Sequence, residues 1–90
     1  MNAKEYEKML HGEGFAITYV WQDAPDAIYP EHTHSCETAH VILEGEMTVI
    51  AEGETRGLKP GDRFDVPARQ VHSARMGPQG CRYVIGEREA

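Results

Sequence analysis

The chain has 90 residues, a formal net charge of -6 at pH 7, and a composition that is 40% hydrophobic and 27% charged. A chain of this length buries only roughly 60% of its unfolded surface, so we expect one domain that spans residues 1–90. The acidic balance, without a basic stripe, argues against a nucleic-acid partner bound through phosphate neutralisation. No run approaches the ~20 apolar residues of a membrane span, so we expect no membrane partner either.

The two cysteines give no sign of an oxidising compartment. Cys36 and Cys81 could pair in principle, but the N-terminus lacks the charged start, apolar core and cleavage site of a secretory signal. We therefore predict reduced thiols and a cytoplasmic location. Cys36 follows His34 closely and could approach a metal as a thiolate, although a small loop or core residue is the simpler interpretation.

The first predicted element is a short helix within an N-terminal extension, residues 1–13. Asn2 and Glu5 have the spacing of a capping box, in which each side chain accepts a hydrogen bond from the backbone N–H of the other residue. Residues 3–11 are good helix formers, and Gly12 marks the end of the run.

The rest of the chain, residues 14–90, has the pattern of an all-β protein. The segment Phe15–Gln22 alternates with the period of a strand, and its bulky residues share one face. Short runs then follow, divided by turn residues such as Leu43-Glu44-Gly45-Glu46 and Gly77-Pro78, at the spacing of a sandwich or barrel. The predicted strands are Ala39–Leu43, Met47–Ala51, Thr55–Leu58, Arg63–Val66, Val71–Met76 and Arg82–Ile85.

The run Ala39–Leu43 is apolar on both strand faces apart from His40. If positions 38, 40 and 42 face a barrel interior, Val41 and Leu43 must pack against something else. We expect the cover to be the N-terminal segment or a partner subunit. Because an exposed apolar strand is an aggregation hazard, we also expect a homodimer.

A histidine pattern carries the strongest functional signal. In His32-Thr33-His34 the two histidines lie at i and i+2, which places both imidazoles on one face of an extended strand, where they can reach one ion. His72 follows the Pro67-bounded end of a later strand and supplies a non-local third ligand. Imidazole ligands suit Zn, Cu, Fe and Ni, and three of them leave coordination positions open for water, dioxygen or substrate.

These residues resemble the two motifs of the cupin superfamily, G-x5-H-x-H-x3,4-E-x6-G and G-x5-P-x-G-x2-H-x3-N. The first motif, about residues 29–45, is matched by His32, His34 and Gly45. The second motif, about residues 61–76, is matched by Gly61, Pro67 and His72. The resemblance implies a double-stranded β-helix, the jelly-roll cupin barrel, in a small cupin 2-like protein.

The sequence departs from the motifs at the expected glutamate ligand, where Thr38 stands, with Glu37 one residue early and His40 two residues late. Either His40, Glu37 or water would complete the metal site. His40 is otherwise a pocket residue that acts as acid or base. Without the glutamate the ligand set is neutral, so the ion keeps its double positive charge and favours anionic ligands. In the second motif Arg69 stands at the glycine and Met76 at the asparagine.

Two hypotheses of function follow. The resemblance implies a metal-dependent enzyme, of dioxygenase or isomerase type, that acts on a small oxygenated or anionic molecule. Its cofactor would be a divalent transition metal (Fe, Zn, Ni, Cu or Mn), held by His32, His34, His72 and, in one arrangement, His40. His40 would be its proton-transfer residue. The alternative is a non-catalytic sensor or carrier in which the histidines bind a small molecule by hydrogen bonds.

Overall fold

The computed structural model describes residues 1–89, which form one helix and six strands; Ala90, the last residue of the predicted barrel, lies outside them. The elements are α1 (Ala3–Gly12), β1 (Ile17–Asp23), β2 (Ile28–His32), β3 (Glu37–Ala51), β4 (Glu54–Leu58), β5 (Arg63–Val66) and β6 (His72–Arg88). Among these residues no helix is long and apolar enough to cross a membrane. Cys36 and Cys81 are free thiols.

The helix begins as predicted. Asn2 Oδ1 accepts a hydrogen bond from the N–H of Glu5 at 2.9 Å, and Glu5 Oε1 accepts one from the N–H of Asn2 at 3.0 Å. Both contacts satisfy backbone donors that would otherwise lack a partner in the first turn. The capping-box prediction is therefore confirmed.

Two long antiparallel strands, β3 and β6, organise the barrel, because each of them contributes to two sheets. The first half of β3 pairs with the second half of β6, and β1 and β5 complete a first sheet in the order β1-β6-β3-β5. The second half of β3 pairs with the first half of β6, and β2 and β4 complete a second sheet in the order β2-β6-β3-β4. The result is the predicted jelly roll.

Two predicted turns are wrong, because β3 and β6 continue through them as they pass from one sheet to the other. Neither Glu44-Gly45 nor Gly77-Pro78 ends a strand; the pairing of β3 with β6 instead shifts register on either side of Glu44 and Gly45. Gly45 has a φ of 78°, and a Cβ there would lie 2.1 Å from the carbonyl oxygen of Gly80. The strands approach so closely at this point that only glycine fits.

The first sheet buries apolar residues on both faces. Its inner face joins the core between the sheets, where Ile42 and Val66 are almost fully buried. Its outer face packs Val41 against Leu10 of α1 and against Phe15, both completely buried. The N-terminal segment is thus the cover that Val41 and Leu43 required, and the homodimer stays a prediction.

Candidate metal centre and its cavity

Three of the four predicted metal-site histidines lie together at one end of the second sheet. His32 is the last residue of β2 and pairs directly with His72, the first residue of β6, with ring centroids 4.2 Å apart. The ring of His34 lies 4.9 Å from each of the other two. One nitrogen from each ring lies within 4.8 Å of the others, so His32, His34 and His72 form a compact group that could hold an ion.

The reason for the grouping differs in part from the predicted one. The strand β2 ends at His32, so His34 lies in the following loop and not on a shared strand face. A backbone contact holds this loop, since the N–H of Arg69 donates to the carbonyl oxygen of His34 at 2.8 Å. Arg69 has a φ of 66°, in the left-handed region that favours glycine, which explains why a glycine is expected at this motif position.

Hydrogen bonds determine which ring nitrogen is free in two of the three histidines. Nδ1–H of His32 donates to the carbonyl oxygen of Pro30 at 2.7 Å, and Nδ1–H of His72 donates to that of Gln70 at 3.0 Å. A carbonyl only accepts hydrogen bonds, so Nδ1 carries the proton and Nε2 keeps its lone pair. This is the arrangement by which metal-binding histidines are commonly oriented.

Burial disfavours the charged form of two of the three histidines. It lowers the pKa of His34, as do the neighbouring His72 and His32, against an opposing effect of the Glu87 charge. Burial also lowers the pKa of His72, against the hydrogen bond to the Gln70 carbonyl. Neutral imidazoles are the form that binds metal. The donor set therefore fits a divalent transition ion.

The cluster opens into a cavity of about 240 Å³. Much of its wall is aromatic, with Tyr19, Trp21, Tyr29, Phe64 and Tyr83 among the lining residues. Ligand cavities commonly measure about 300–1,000 Å³, so this one suits a small molecule. A flat ring is the shape that such aromatic walls accommodate best.

His40 lies in the same cavity but outside the three-histidine group. Its ring stacks on Phe64, with centroids 4.4 Å apart and planes inclined by 6°, and its buried Nδ1 has no hydrogen-bond partner within residues 1–89. Burial, with His34 and His72 nearby, lowers the pKa of His40 to about 4. His40 is therefore a neutral pocket residue at physiological pH, and its roles as catalyst and as metal ligand stay predictions.

The other candidate ligands do not join the group. Glu37 accepts a hydrogen bond from Arg88 in an ion pair of 2.7 Å. Thr38, at the position of the expected glutamate, is buried, and its hydroxyl lacks a hydrogen-bond partner among the described residues. Cys36 is also outside the three-histidine group.

Asp23, which the sequence analysis did not single out, bonds three residues of the cavity wall. Its carboxylate accepts hydrogen bonds from Trp21 Nε1 at 3.1 Å, from the Tyr29 hydroxyl at 2.7 Å and from the Tyr83 hydroxyl at 2.6 Å. Burial and these bonds raise the pKa of both tyrosines. Asp23 thus holds three aromatic side chains of the cavity wall in position by hydrogen bonds. The short Trp21-to-Asp23 spacing on one strand face was the only local signal for it.

Glu87 is a second residue that the sequence did not single out. It lies on β6 directly opposite Thr38, and its carboxylate accepts a hydrogen bond from the Tyr19 hydroxyl at 2.7 Å. Burial and this bond raise the pKa of Tyr19 to about 12. The alternation Tyr83, Ile85, Glu87 along a strand could have indicated that Glu87 shares the face of the two cavity residues.

Fold and site together define a small jelly-roll protein with a three-histidine centre of the kind that binds metals. The family model described as "Cupin domain" matches residues 19–85. The chain therefore belongs to the cupin family, as the motif resemblance predicted.

Among curated proteins, the chain is similar to a quercetin 2,3-dioxygenase of Bacillus subtilis (strain 168), with 44% identity over 45 residues. That match covers 50% of this chain and spans only 13% of the dioxygenase. Sequence likeness to this relative is therefore confined to a small part of its length.

Solved structures of similar fold include three bacterial proteins. A structural-genomics protein of unknown function from Rhizobium leguminosarum bv. viciae 3841 has a TM-score of 0.76 at 20% identity, covering 81% of this chain and 69% of its own, and shows the fold alone. An RmlC-like cupin from Shewanella frigidimarina NCIMB 400 has a TM-score of 0.73 at 26% identity, and the match covers 82% of this chain and 66% of that cupin. The DMSP lyase DddQ from Ruegeria pomeroyi DSS-3 has a TM-score of 0.72 at 30% identity, and the match covers 79% of this chain and 36% of the lyase.

Proposed function

We propose that this cupin is a metal-dependent enzyme of oxygenase type that acts on a small, flat, oxygenated molecule. His32, His34 and His72 would hold a divalent transition metal through one nitrogen each. The observation that carries this proposal is the cluster itself, in which three imidazoles converge and two have Nε2 left free by a backbone hydrogen bond. Three protein ligands leave positions on the ion for substrate.

A bound divalent ion would polarise an oxygenated ligand and lower the pKa of its hydroxyl groups. The protein would contribute position and exclusion of water. The aromatic walls, tied together by Asp23, would hold a flat ring beside the cluster. His40, a neutral ring that lines the cavity, would take part in proton transfer.

The oxygenase type is favoured over the isomerase type by the comparison with known proteins. The Bacillus subtilis relative is named for dioxygenation of quercetin, and the aromatic cavity suits a ring-bearing oxygenated molecule of that general class. The cavity of about 240 Å³ favours a small member of the class. The DMSP lyase among the structural neighbours supports action on a small molecule.

Elemental analysis tests the metal site. Untagged protein, purified without chelator and then offered iron, nickel or zinc, should hold close to one ion per chain. The His34→Ala variant should lose this ion, and the His11→Ala control, which removes a histidine outside the cluster, should keep it. Retention of the ion by the folded His34→Ala protein would reject the assignment. A redox-active ion with dioxygen uptake would support the oxygenase, and substrate turnover without dioxygen would support the isomerase.

The non-catalytic alternative is favoured by one observation: Asp23 holds three aromatic wall residues through hydrogen bonds that involve none of the three clustered histidines. Such a cavity could bind a ligand unaided. Thermal unfolding with a panel of phenolic and enolic compounds, in the presence of chelator and again with metal, separates the two functions. Ligand stabilisation that is indifferent to metal would favour the binding module, and stabilisation that requires metal would favour the enzyme.

A further inference from the structure

The three-histidine cluster contains no acidic ligand, although acidic residues lie near it. On β3 the position of the expected glutamate holds Thr38. Across the strand pair, Thr38 lies directly opposite Glu87 of β6. Opposed residues on antiparallel strands project from the same face, with Cβ atoms about 4.5–5.5 Å apart. A carboxylate thus projects from the same face as the Thr38 side chain, one strand over.

The strand geometry directs Glu87 toward the cavity. Along β6, Tyr83 and Ile85 line the cavity, and Glu87 follows them with the same alternation. Val84, on the other face, packs beneath α1. Glu87 therefore shares the cavity side of the first sheet.

One hydrogen bond connects Glu87 to a residue of the cavity wall. The hydroxyl of Tyr19, a cavity residue, donates to its Oε2 at 2.7 Å. Within residues 1–89 the cations that form ion pairs, Arg63 and Arg88, pair with other carboxylates, so the charge of Glu87 is not offset by a salt bridge.

We propose that Glu87 is the acidic partner of the metal centre, supplying from β6 the negative charge that Thr38 does not supply from β3. This inference rests on the proposed metal-binding function. Tyr19 holds the carboxylate in position, so that an ion bound by three neutral imidazoles is stabilised by a nearby negative charge. With that charge in place, the ion and Glu87 together carry one net positive charge, which a singly ionised ligand neutralises.

The test is the affinity for Zn²⁺ alone, measured by competition with a chromophoric chelator. Glu87→Gln keeps an oxygen that can accept the Tyr19 hydrogen bond but removes the charge, so a merely structural role would leave affinity unchanged. We expect Glu87→Gln to weaken Zn²⁺ binding about 10- to 100-fold. The control Glu89→Gln removes the same charge from an exposed residue nearby and should change affinity less than about twofold.

A rescue variant sharpens the test. Adding Thr38→Glu to Glu87→Gln returns a carboxylate to the same sheet face, and we expect it to recover at least about tenfold of the lost affinity. Unchanged binding by Glu87→Gln, or no recovery in a folded double variant, would overturn the inference and leave the proposed function intact. Failure of the wild-type protein to bind Zn²⁺ would overturn both.

Discussion

Two buried histidines of the same cavity, His72 and His40, show how the environment assigns different roles to one residue type. Their exposed fractions are similar, 4% and 9%. Nδ1–H of His72 donates to a backbone carbonyl, whereas Nδ1 of His40 has no partner within the described residues. The first arrangement orients a free Nε2 toward two other imidazoles, and the second leaves a buried polar atom without a hydrogen bond.

The difference arises from the local backbone. His72 follows the loop that contains Gln70, whose carbonyl lies close enough to accept a hydrogen bond from the ring. His40 lies in the first part of β3, between β5 and β6, where the backbone groups pair with the neighbouring strands and the ring instead stacks on Phe64 of β5. In a strand the backbone carbonyls already accept hydrogen bonds from neighbouring strands, whereas a loop carbonyl is free to accept one from a histidine ring.

The largest expected effect is on metal affinity. His72→Ala should weaken the binding of Zn²⁺ or Ni²⁺ by about 100-fold or more, because it removes a ligand from the cluster. His40→Leu should change affinity by less than about threefold, since His40 lies outside the group. Chelator competition on both purified variants measures the contrast. A comparable loss in His40→Leu would make His40 a ligand, as one sequence interpretation has it.

The next effect concerns stability against pH in metal-free protein. The pKa of His40 is about 4 in the folded state and 6.5 in the unfolded state. Between these values the unfolded chain binds a proton that the folded chain excludes, so stability falls as the pH falls. The His40 contribution is fully present above pH 6.5 and is lost by pH 4, a difference of about 3 kcal/mol.

Urea unfolding of the wild type and His40→Leu at several pH values between 7 and 4 measures this contribution. His34 and His72 also have a lowered pKa, but they titrate in both proteins, so the difference between the two curves isolates His40. Parallel curves would mean that His40 has the same pKa in the folded and unfolded chain, which would contradict the lowered pKa of its buried ring.

The sequence predicted the helix, the all-β class and the His32 and His34 pair because each has a local signal, whereas His72 was added as a non-local ligand that matches the second motif. A capping box, period-two alternation and histidine spacing are all legible within a few residues. The predicted breaks at Glu44-Gly45 and Gly77-Pro78 were wrong because glycine permits both a turn and a close strand crossing. Which of the two occurs depends on the contact between Gly45 and Gly80, which lies outside any local window.

The sequence could not predict the acidic residues of the site for a related reason. Asp23 meets Tyr83, and Glu87 meets Tyr19, across most of the chain, through the pairing of β1 with β6. A single sequence carries no record of that pairing. Cys36 and Glu37 were candidate ligands because they follow His34 closely in the sequence, yet neither joins the three-histidine group.

The smallest expected effect is on the free energy of unfolding, at Arg69, whose backbone supports the cluster although its side chain is not a ligand. Arg69 adopts a φ of 66° and donates its N–H to the His34 carbonyl at 2.8 Å. Arg69→Gly keeps this N–H and relieves the strain of a side chain in the left-handed region, so the free energy of unfolding should rise by about 0.5–1 kcal/mol.

The matched control is Ala68→Gly, a neighbouring position outside the residues of positive φ. There glycine adds conformational freedom to the unfolded chain and removes a half-buried methyl group, so the free energy of unfolding should fall by about 0.5–1 kcal/mol or more. Zn²⁺ affinity should be unchanged in Arg69→Gly, because the hydrogen bond that holds the His34 loop involves backbone atoms alone. A loss of affinity in that variant would show that the Arg69 side chain, and not its backbone, supports the cluster.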